Sequence, residues 1–201
     1  TSPADATLSV AFYTEGGDPE WRAIGSSPVT AVSLPREAVH LRIEKVGFET
    51  IETLLGSGGA NFEFPLDEVG SIPTGMVRIP GGDKRIQLAA FDDYPAVRTP
   101  SYLIDKREVT NSEFKEFVDA GGYRDATYWK HTFVDEGQEF SWDDATDRFR
   151  DRTGRLGPST WEGGTYAAGE GEYPVSGVSW YEAAAYAEFR GRSLPTVFHW
   201  L

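Results

Sequence analysis

The sequence contains no cysteine and is poor in histidine and methionine, with three and one respectively. Without cysteine, these 201 residues can form no disulfide, no thiolate zinc site and no catalytic thiol. Positive charge is also scarce, since 19 Lys and Arg stand against 32 Asp and Glu and give a net charge of -13. That sign opposes binding to phosphate backbones and anionic membranes. We therefore expect no nucleic-acid partner.

Long apolar runs are missing as well. No stretch reaches the roughly 20 apolar residues that a membrane-spanning helix requires, so we expect no membrane segment. The chain starts at Thr1 without a methionine or a basic-then-apolar leader, and its last predicted helix stops at Leu201 after about one turn. We expect the chain to be a piece of a longer protein.

Aromatic residues are abundant: the chain has 12 Phe, 9 Tyr and 6 Trp. The 22 Gly and 12 Pro are too few for a low-complexity chain, so the composition predicts a folded protein. A length of 201 residues corresponds to one or two domains.

Residues 1–73 alternate in the manner of β-strands. Leu41 and Ile43 alternate with Arg42 and Glu44, and Leu8, Val10 and Phe12 and then Phe62, Phe64 and Leu66 follow the same period. Turn residues separate these runs, at 16–19, 25–28 and 56–59. The pattern predicts a small antiparallel β-sandwich, followed by a linker that ends near residue 74.

Residues 74–201 carry a different pattern. Short strands are predicted at 75–79 and 101–105, and two capping boxes begin helices, one at Thr110 with Glu113 and one at Ser179 with Glu182. A third helix is predicted to start at Ser141. Residues 154–174 lack any period, so we expect this long connection to be functional or tied down by its own side chains. Strands followed by helices predict an α+β fold class.

Several aromatic residues stand in or beside the glycine-rich loops. They are Tyr123, Tyr128, Trp129, Trp161, Tyr166 and Tyr173. Loops on a rigid scaffold concentrate binding residues, and a rigid aromatic ring offers a large contact area. We name Trp129, Trp161 and Tyr166 as candidate ligand-binding residues. The alternative is that these rings fasten long loops to the core.

Other groups are better explained structurally. His40, His131 and His199 show no metal-ligand spacing, and His199 fits a helix cap with Thr196. The carboxylate pairs at 92–93 and 143–144 lack the spacing of a calcium loop. Four arginines alternate with two aspartates over residues 147–155, which predicts a solvated, salt-paired stretch, with an acidic partner as the alternative. We predict neither catalytic nor metal-binding residues in this chain.

The first region resembles the PEGA-type β-sandwich modules of bacterial multidomain proteins. The resemblance rests on TEGG at 14–17, IGSSP at 24–28, LP at 34–35 and HLRIEKVGF at 40–48, with Thr14 and Gly17 departing from the family motif. Such modules act as spacers or contact domains, so the resemblance implies no chemistry here.

The second region resembles the sulfatase-modifying-factor family, which includes the formylglycine-generating enzymes. The matching blocks are GMV at 75–77, IDKREVTN at 104–111, GGY at 121–123, YPVSGVSW at 173–180 and GRSLPT at 191–196. The resemblance implies the amino-terminal half of a variant C-type-lectin-like fold. It also implies that the copper-binding cysteines of those oxidases, and the calcium ligands, lie in a carboxy-terminal half that would be the chain's main partner.

The resemblance leaves the activity open. The complete domain is expected to be a copper-dependent oxidase of a protein cysteine, a non-haem iron enzyme, or a non-catalytic lectin-like module that recognises a protein or a small ligand. The pairing of the two regions is similar to the tail of bacterial serine/threonine kinase fusion proteins. From that resemblance we expect an extracytoplasmic part of a membrane-anchored protein rather than a cytoplasmic one.

Overall fold

The structure is a computed structural model. It describes residues 1–11, 19–30, 32–34, 39–55, 62–84 and 95–199. The chain divides into two compact units, residues 1–83 with 98–106 and residues 84–97 with 107–201. Short helices and small antiparallel sheets make up the described chain, and this confirms the α+β class. The domain boundary after residue 73 stays a prediction.

The first unit contains a four-stranded antiparallel sheet. Its strands are β1 (Thr7–Ala11), β2 (Arg22–Ser26), β3 (Val39–Glu44) and β4 (Ile51–Leu55), in the order β2-β1-β3-β4. Leu41 and Ile43 are buried while Glu44 is exposed, which confirms the predicted alternation. Since the described strands of residues 1–73 form one sheet, the sandwich and its PEGA-like character stay predictions. Phe12, the TEGG segment and the turn at 56–59 lie outside the described residues.

Four further strands pair in two small sheets. They are β5 (Met76–Ile79), β6 (Gly82–Lys84), β7 (Val97–Thr99) and β8 (Tyr102–Asp105). Strand β5 pairs antiparallel with β8, and β6 pairs with β7. The two strands predicted near residues 75 and 101 are therefore confirmed.

The second unit is built from short helices and long connections. Its elements are α1 (Asn111–Asp119), 3-10 turns at Gly122–Arg124, Ala126–Tyr128 and Val197–His199, β9 (Phe133–Asp135), β10 (Gln138–Phe140), α2 (Trp142–Thr146) and α3 (Trp180–Phe189). Helices α1 and α3 start with complete capping boxes at Thr110 and Ser179. Ser141 caps α2 through its hydroxyl, which accepts a hydrogen bond from the backbone N–H of Asp144. All three predicted helix starts are confirmed.

The core of the second unit is aromatic. Phe114 lies edge-to-face with Trp161 at 6.2 Å between ring centroids and stacks on Tyr186 at 5.3 Å. Because Phe114 belongs to α1 and Tyr186 to α3, these rings join the two main helices. The buried alanines of α3 are Ala184, Ala185 and Ala187. Across the part of the chain that the structure describes, no helix has the length and apolar character needed to cross a membrane.

Candidate functional site

An open groove of about 320 Å³ lies in the second unit. Its walls come from three stretches of chain, and the lining residues are Arg148, Phe149, Arg150, Gly157, Ser159, Gly177, Val178, Ser179 and Glu182. The lining combines two cations, two hydroxyls, a carboxyl group and apolar side chains. Mixed linings with a few converging polar groups are typical of ligand sites. This groove is our candidate functional site.

Two loops meet along the groove through close backbone contacts. The backbone N–H of Ser159 donates to the carbonyl of Gly177 at 2.8 Å, and the Ser159 hydroxyl donates to the same oxygen at 3.0 Å. Gly177 has a φ of +72°, and a Cβ there would lie 2.6 Å from the Ser159 Oγ. A side chain at this position would be both strained and obstructed, so glycine is required for the two loops to approach.

Glu182 is the buried acid of the groove. Its residue is 3% exposed, and its Oε1 accepts a hydrogen bond from the Tyr123 hydroxyl at 2.5 Å. Its Oε2 accepts from the backbone N–H of Ser179 at 2.6 Å, which completes the capping box of α3. The same carboxyl group therefore fixes the start of the helix and joins it to the 3-10 turn that carries Tyr123.

Burial changes the proton affinity of this pair. Loss of solvation raises the pKa of Glu182, although hydrogen bonds from Ser179 and Tyr123 act in the opposite direction. Burial also raises the pKa of Tyr123, and the neighbouring Glu182 adds to this effect. Buried acids with a raised pKa in a groove are candidate functional groups, although structural acids share this property.

The two arginines of the groove are held by acidic neighbours. Arg148 forms an ion pair with Asp135 at 2.9 Å and lies 3.9 Å over the ring of Phe140. Arg150 forms an ion pair with Asp147. These contacts confirm the predicted salt-paired stretch for both arginines, and the acidic partner remains a prediction.

Asp151 differs from the rest of that stretch, because it is buried and makes its bonds to neutral groups. It is 6% exposed. Its Oδ1 accepts from the backbone N–H and the hydroxyl of Thr153, both at 2.8 Å, and from the backbone N–H of Arg155 at 2.9 Å. Its Oδ2 accepts from the backbone N–H of Gly164 at 2.6 Å. The expectation of a solvated side chain was wrong here, because four donors converge on this carboxylate and replace water.

The hydrogen bonds outweigh burial in setting the charge of Asp151. Burial alone would raise its pKa, but the bonds from Thr153, Arg155 and Gly164 stabilise the charged form and lower the pKa to about 2. Asp151 is therefore ionised at neutral pH and connects two loops through one negative charge.

The structure places two of the predicted aromatic residues side by side. Trp161 is 2% exposed, and its indole N–H donates to the side-chain oxygen of Asn111 at 2.9 Å. Tyr166 is half-buried and lies edge-to-face with Trp161 at 5.5 Å. Both rings fasten the long 154–174 connection to the core. Their ligand-binding role stays a prediction.

Trp129 lies behind the groove. Its ring stacks face to face on Phe149, with centroids 5.4 Å apart, and its indole N–H donates to the carbonyl of Gly122 at 2.9 Å. Because Phe149 lines the groove, Trp129 supports the wall rather than forming it. Its own ligand-binding role is likewise still a prediction.

The described histidines and paired acids occupy structural positions. Asp143 and Asp144 lie in the first turn of α2. The Nδ1 of His199 accepts a hydrogen bond from the backbone N–H of Thr196 at 2.9 Å, as expected for a cap. The His131 ring lies 4.6 Å from the ring of Trp180. No group of three or more His, Asp or Glu is arranged to hold a metal ion in the described ranges, and the pair at 92–93 lies outside them.

Sequence reasoning missed the groove as a site. Its polar members come from residues 148–150, 157–159 and 177–182, which no short motif connects. One signal was available, because Glu182 is an acid placed within an alanine-rich helix. Glu182 was recognised as a cap, but its contact with Tyr123, 59 residues away, could not be read from the pattern.

Comparison with known proteins supports a family assignment. The family model for the sulfatase-modifying factor enzyme 1-like domain matches residues 63–201. The chain is 31% identical over 173 residues to hercynine oxygenase of Mycolicibacterium thermoresistibile, covering 79% of this chain and 35% of that protein. It is 31% identical over 162 residues to the formylglycine-generating enzyme of Thermomonospora curvata, covering 70% of this chain and 52% of that protein.

A kinase is also among the similar proteins. The chain is 29% identical over 133 residues to serine/threonine-protein kinase pkn1 of Chlamydia pneumoniae, covering 64% of this chain and 19% of that protein. The chain thus spans between about a fifth and about a half of the length of these relatives. The family model covers more than half of the chain, and we conclude that the chain belongs to the sulfatase-modifying factor enzyme 1-like family.

Proposed function

We propose that this chain supplies the framework and part of the substrate-recognition surface of a formylglycine-generating-enzyme-like domain. The complete domain would use dioxygen, with two electrons from an added thiol reductant, to oxidise a cysteine of a protein substrate to formylglycine, and the sulfur would leave as sulfide while water forms. The observation that carries the proposal is the family match over residues 63–201, within which the groove of the second unit lies. The C-type-lectin-like arrangement of the whole domain is part of the same proposal.

Copper is the cofactor that this function implies, and the residues of this chain do not fit it. The proposed copper ligands are two cysteines, and the sequence contains none. The described residues also bring together no group of three or more metal-binding side chains. The metal therefore belongs, in this proposal, to other residues of the whole protein, and no chemical step is assigned to the residues described here.

The groove would contribute binding and orientation. Arg148 and Arg150 line it with partly exposed side chains that can meet carbonyl or carboxylate oxygens of a peptide, while Phe149 and Val178 offer apolar contact. Such positioning lowers the entropic cost of the reaction without any contact with the reacting atoms. The groove would therefore affect substrate affinity more than the chemical step.

A second candidate is an oxygenase of a small molecule. The hercynine oxygenase of Mycolicibacterium thermoresistibile matches 79% of this chain, a larger share than the 70% matched by the Thermomonospora curvata enzyme. In this version the complete domain would use non-haem iron instead of copper. The framework and groove would keep the same role with a smaller ligand.

A third candidate is a non-catalytic recognition module attached to a kinase. The match to the Chlamydia pneumoniae protein favours it, because that relative is named a serine/threonine-protein kinase and not an oxidase or an oxygenase. The groove would then bind a protein or a small ligand as a sensor, and an extracytoplasmic location would suit such a role.

One experiment separates the three candidates. The whole protein is loaded with copper or with iron(II) and incubated in air with a thiol reductant and a cysteine-containing peptide, and an aminooxy probe detects any aldehyde formed. Oxygen consumption with hercynine is measured in parallel. Copper-dependent aldehyde supports the oxidase, and iron-dependent oxygen uptake with hercynine supports the second candidate. If neither activity appears with either metal, the proposal of an enzyme is wrong and the recognition module remains.

A further inference from the structure

We propose that Asp151 is a positioning residue, which holds the exposed turn at residues 162–165 and one wall of the groove in a fixed arrangement for substrate recognition. This inference rests on the proposed function, because it assumes that the groove binds substrate. It assigns a role to a buried acid that is not among the residues lining the groove but directly follows Arg150, which is.

Asp151 first organises the chain that forms one groove wall. Its backbone N–H donates to the carbonyl of Arg155 at 2.7 Å, Arg150 pairs with Leu156, and the N–H of Gly157 donates to the carbonyl of Phe149 at 3.2 Å. These contacts make a small hairpin whose two arms both reach the groove. The three bonds accepted by Oδ1 of Asp151 close the end of this hairpin.

Asp151 then connects this hairpin to a second turn. Glu162 and Thr165 exchange backbone hydrogen bonds of 2.9 and 3.3 Å, and the two residues between them have φ values of +67° and +81°. Two successive positive φ values define a type I′ turn, which glycine adopts without strain. Oδ2 of Asp151 accepts from the second of these glycines, Gly164, at 2.6 Å.

Three other bonds reinforce the same connection. The hydroxyl of Thr153 accepts from the backbone N–H of Gly163 at 3.0 Å, and the guanidinium of Arg155 donates to the carbonyl of Gly163 at 2.8 Å. The N–H of Arg152 donates to the carbonyl of Trp161 at 3.0 Å. Residues 162–165 belong to none of the described strands, so these contacts and the carboxylate of Asp151 set the position of the turn.

The turn at residues 162–165 is exposed, so a ligand can reach it. Glu162, Gly163 and Thr165 are exposed, whereas Trp161 on one side is buried and Tyr166 on the other is half-buried. The hydrogen bond from Gly164 to the buried carboxylate fixes the backbone of this exposed turn before any ligand binds. A fixed backbone lowers the entropic cost of ligand binding. The same carboxylate closes the hairpin that lines the groove through Phe149, Arg150 and Gly157, so one group holds both the turn and that wall.

The test is Asp151→Asn in the whole protein, with Asp147→Asn as the matched control for hydrogen exchange. An asparagine can keep its oxygen at the Oδ1 position, but its NH₂ group then faces the N–H of Gly164. The substitution therefore breaks the connection to the turn and spares the local hairpin. Asp147→Asn makes the same chemical change in the same segment, at a side chain that is 76% exposed.

Amide hydrogen exchange gives the first result. We expect exchange at Gly163 and Gly164 to become at least about tenfold faster in Asp151→Asn and to stay unchanged in Asp147→Asn. Thr153→Val provides a second variant, because it removes the hydroxyl bonds to Gly163 and to Oδ1 of Asp151 and leaves the carboxylate and its bond from Gly164 in place. Unchanged protection of both glycines in Asp151→Asn and in Thr153→Val would overturn the proposal.

Steady-state kinetics with a cysteine-containing peptide give the second result. We expect Asp151→Asn to raise KM roughly tenfold with kcat unchanged, since the turn would affect binding and not the chemical step. A fall in kcat at unchanged KM would overturn the proposal. If the wild-type protein forms no aldehyde, the proposed function is wrong. The positioning role is then tested by the amide hydrogen exchange of Gly163 and Gly164 alone.

Discussion

The two units of this chain reach stability in different ways. In the first unit, strands satisfy their own backbone groups in a four-stranded ladder, and the core is aliphatic, formed by Ala6, Val10, Val39, Leu41 and Ile43. In the second unit the core is mostly aromatic, and buried polar side chains bind the backbone of long connections. Asn111, Asp151 and Glu182 are the main examples.

The difference shows what a loop-rich unit requires. Buried backbone groups must be hydrogen-bonded, and in a connection without strands the partners have to be side chains. Each such side chain bonds one or more buried backbone groups, so its removal leaves those N–H and carbonyl groups without hydrogen-bond partners. We therefore expect polar substitutions to be costly in the second unit and mild on the sheet of the first.

The largest expected effect is that of Trp161→Ala. Removing this ring leaves a cavity beside Phe114 and deletes the bond to Asn111, so the free energy of unfolding should fall by about 3–5 kcal/mol. Denaturant titration of the 201-residue chain measures it. Trp180→Ala is the matched control, since that ring is 55% exposed, and it should cost much less. Equal losses for the two variants would show that the aromatic core does not hold the second unit.

Asn111→Ala should have the next largest effect. The side chain accepts from Trp161 and donates to the carbonyl of Glu170 at 2.9 Å, so both groups lose a buried partner. We expect a loss of about 1–3 kcal/mol in the free energy of unfolding. Thr7→Ala, at an exposed position of β1, provides the comparison within the sheet and should cost well under that. If the two substitutions cost the same, the proposed contrast between the units is wrong.

Glu182→Gln tests the buried acid through pH. The raised pKa means that the folded state binds this proton more tightly than the unfolded state, whose ordinary value is 4.5. The stabilising contribution of Glu182 is therefore complete below 4.5 and is lost as the pH rises through the folded-state pKa. We expect the wild type to lose stability relative to the glutamine variant between about pH 4 and about pH 8. Denaturant titration at both values measures the difference, and a constant difference would contradict the assignment.

Asp151 should show the opposite dependence in the same unit. Its pKa is lowered to about 2 from the ordinary 3.8, so its contribution is present above 3.8 and is lost as the pH falls through 2. Comparing the wild type with Asp151→Asn over the acidic range measures this. A contribution that grows as the pH falls would overturn the assignment.

The smallest effect is expected on the surface of the sheet. Arg42 and Glu52 form an ion pair of 2.7 Å across β3 and β4, and both side chains are partly exposed. Glu52→Gln should change the free energy of unfolding by only about 0.2–1 kcal/mol, and added salt should reduce the difference. A loss as large as that of Asn111→Ala would erase the contrast between the two units.

Local sequence patterns predicted the parts of this fold that depend on neighbouring residues. The capping boxes at Thr110 and Ser179 and the cap between Thr196 and His199 each involve groups three residues apart. The strand alternation around Leu41 is similarly local. Hydrogen-bonding chemistry within one helical turn is enough to specify such features.

Contacts between distant segments could not be predicted in the same way. Asp151 alternates with arginines in the sequence, which predicted an exposed ion pair, yet its carboxylate binds Gly164, 13 residues away. The bond between Trp161 and Asn111 spans 50 residues. The lack of any period in the 154–174 connection predicted that it would be functional or tied down by its own side chains. It could not say which ones, because their partners are backbone groups with no sequence signature.

The alanines of α3 have a consequence for how this protein can change. Ala184, Ala185 and Ala187 are each at most 7% exposed, so a larger side chain at any of them would have to displace its neighbours. Overpacking of this kind typically costs about 1–3 kcal/mol. Mutational drift in this helix should therefore be confined to its exposed positions, such as Trp180 and Glu188. New specificities would then arise by altering the loops around the groove while the helix itself stays the same.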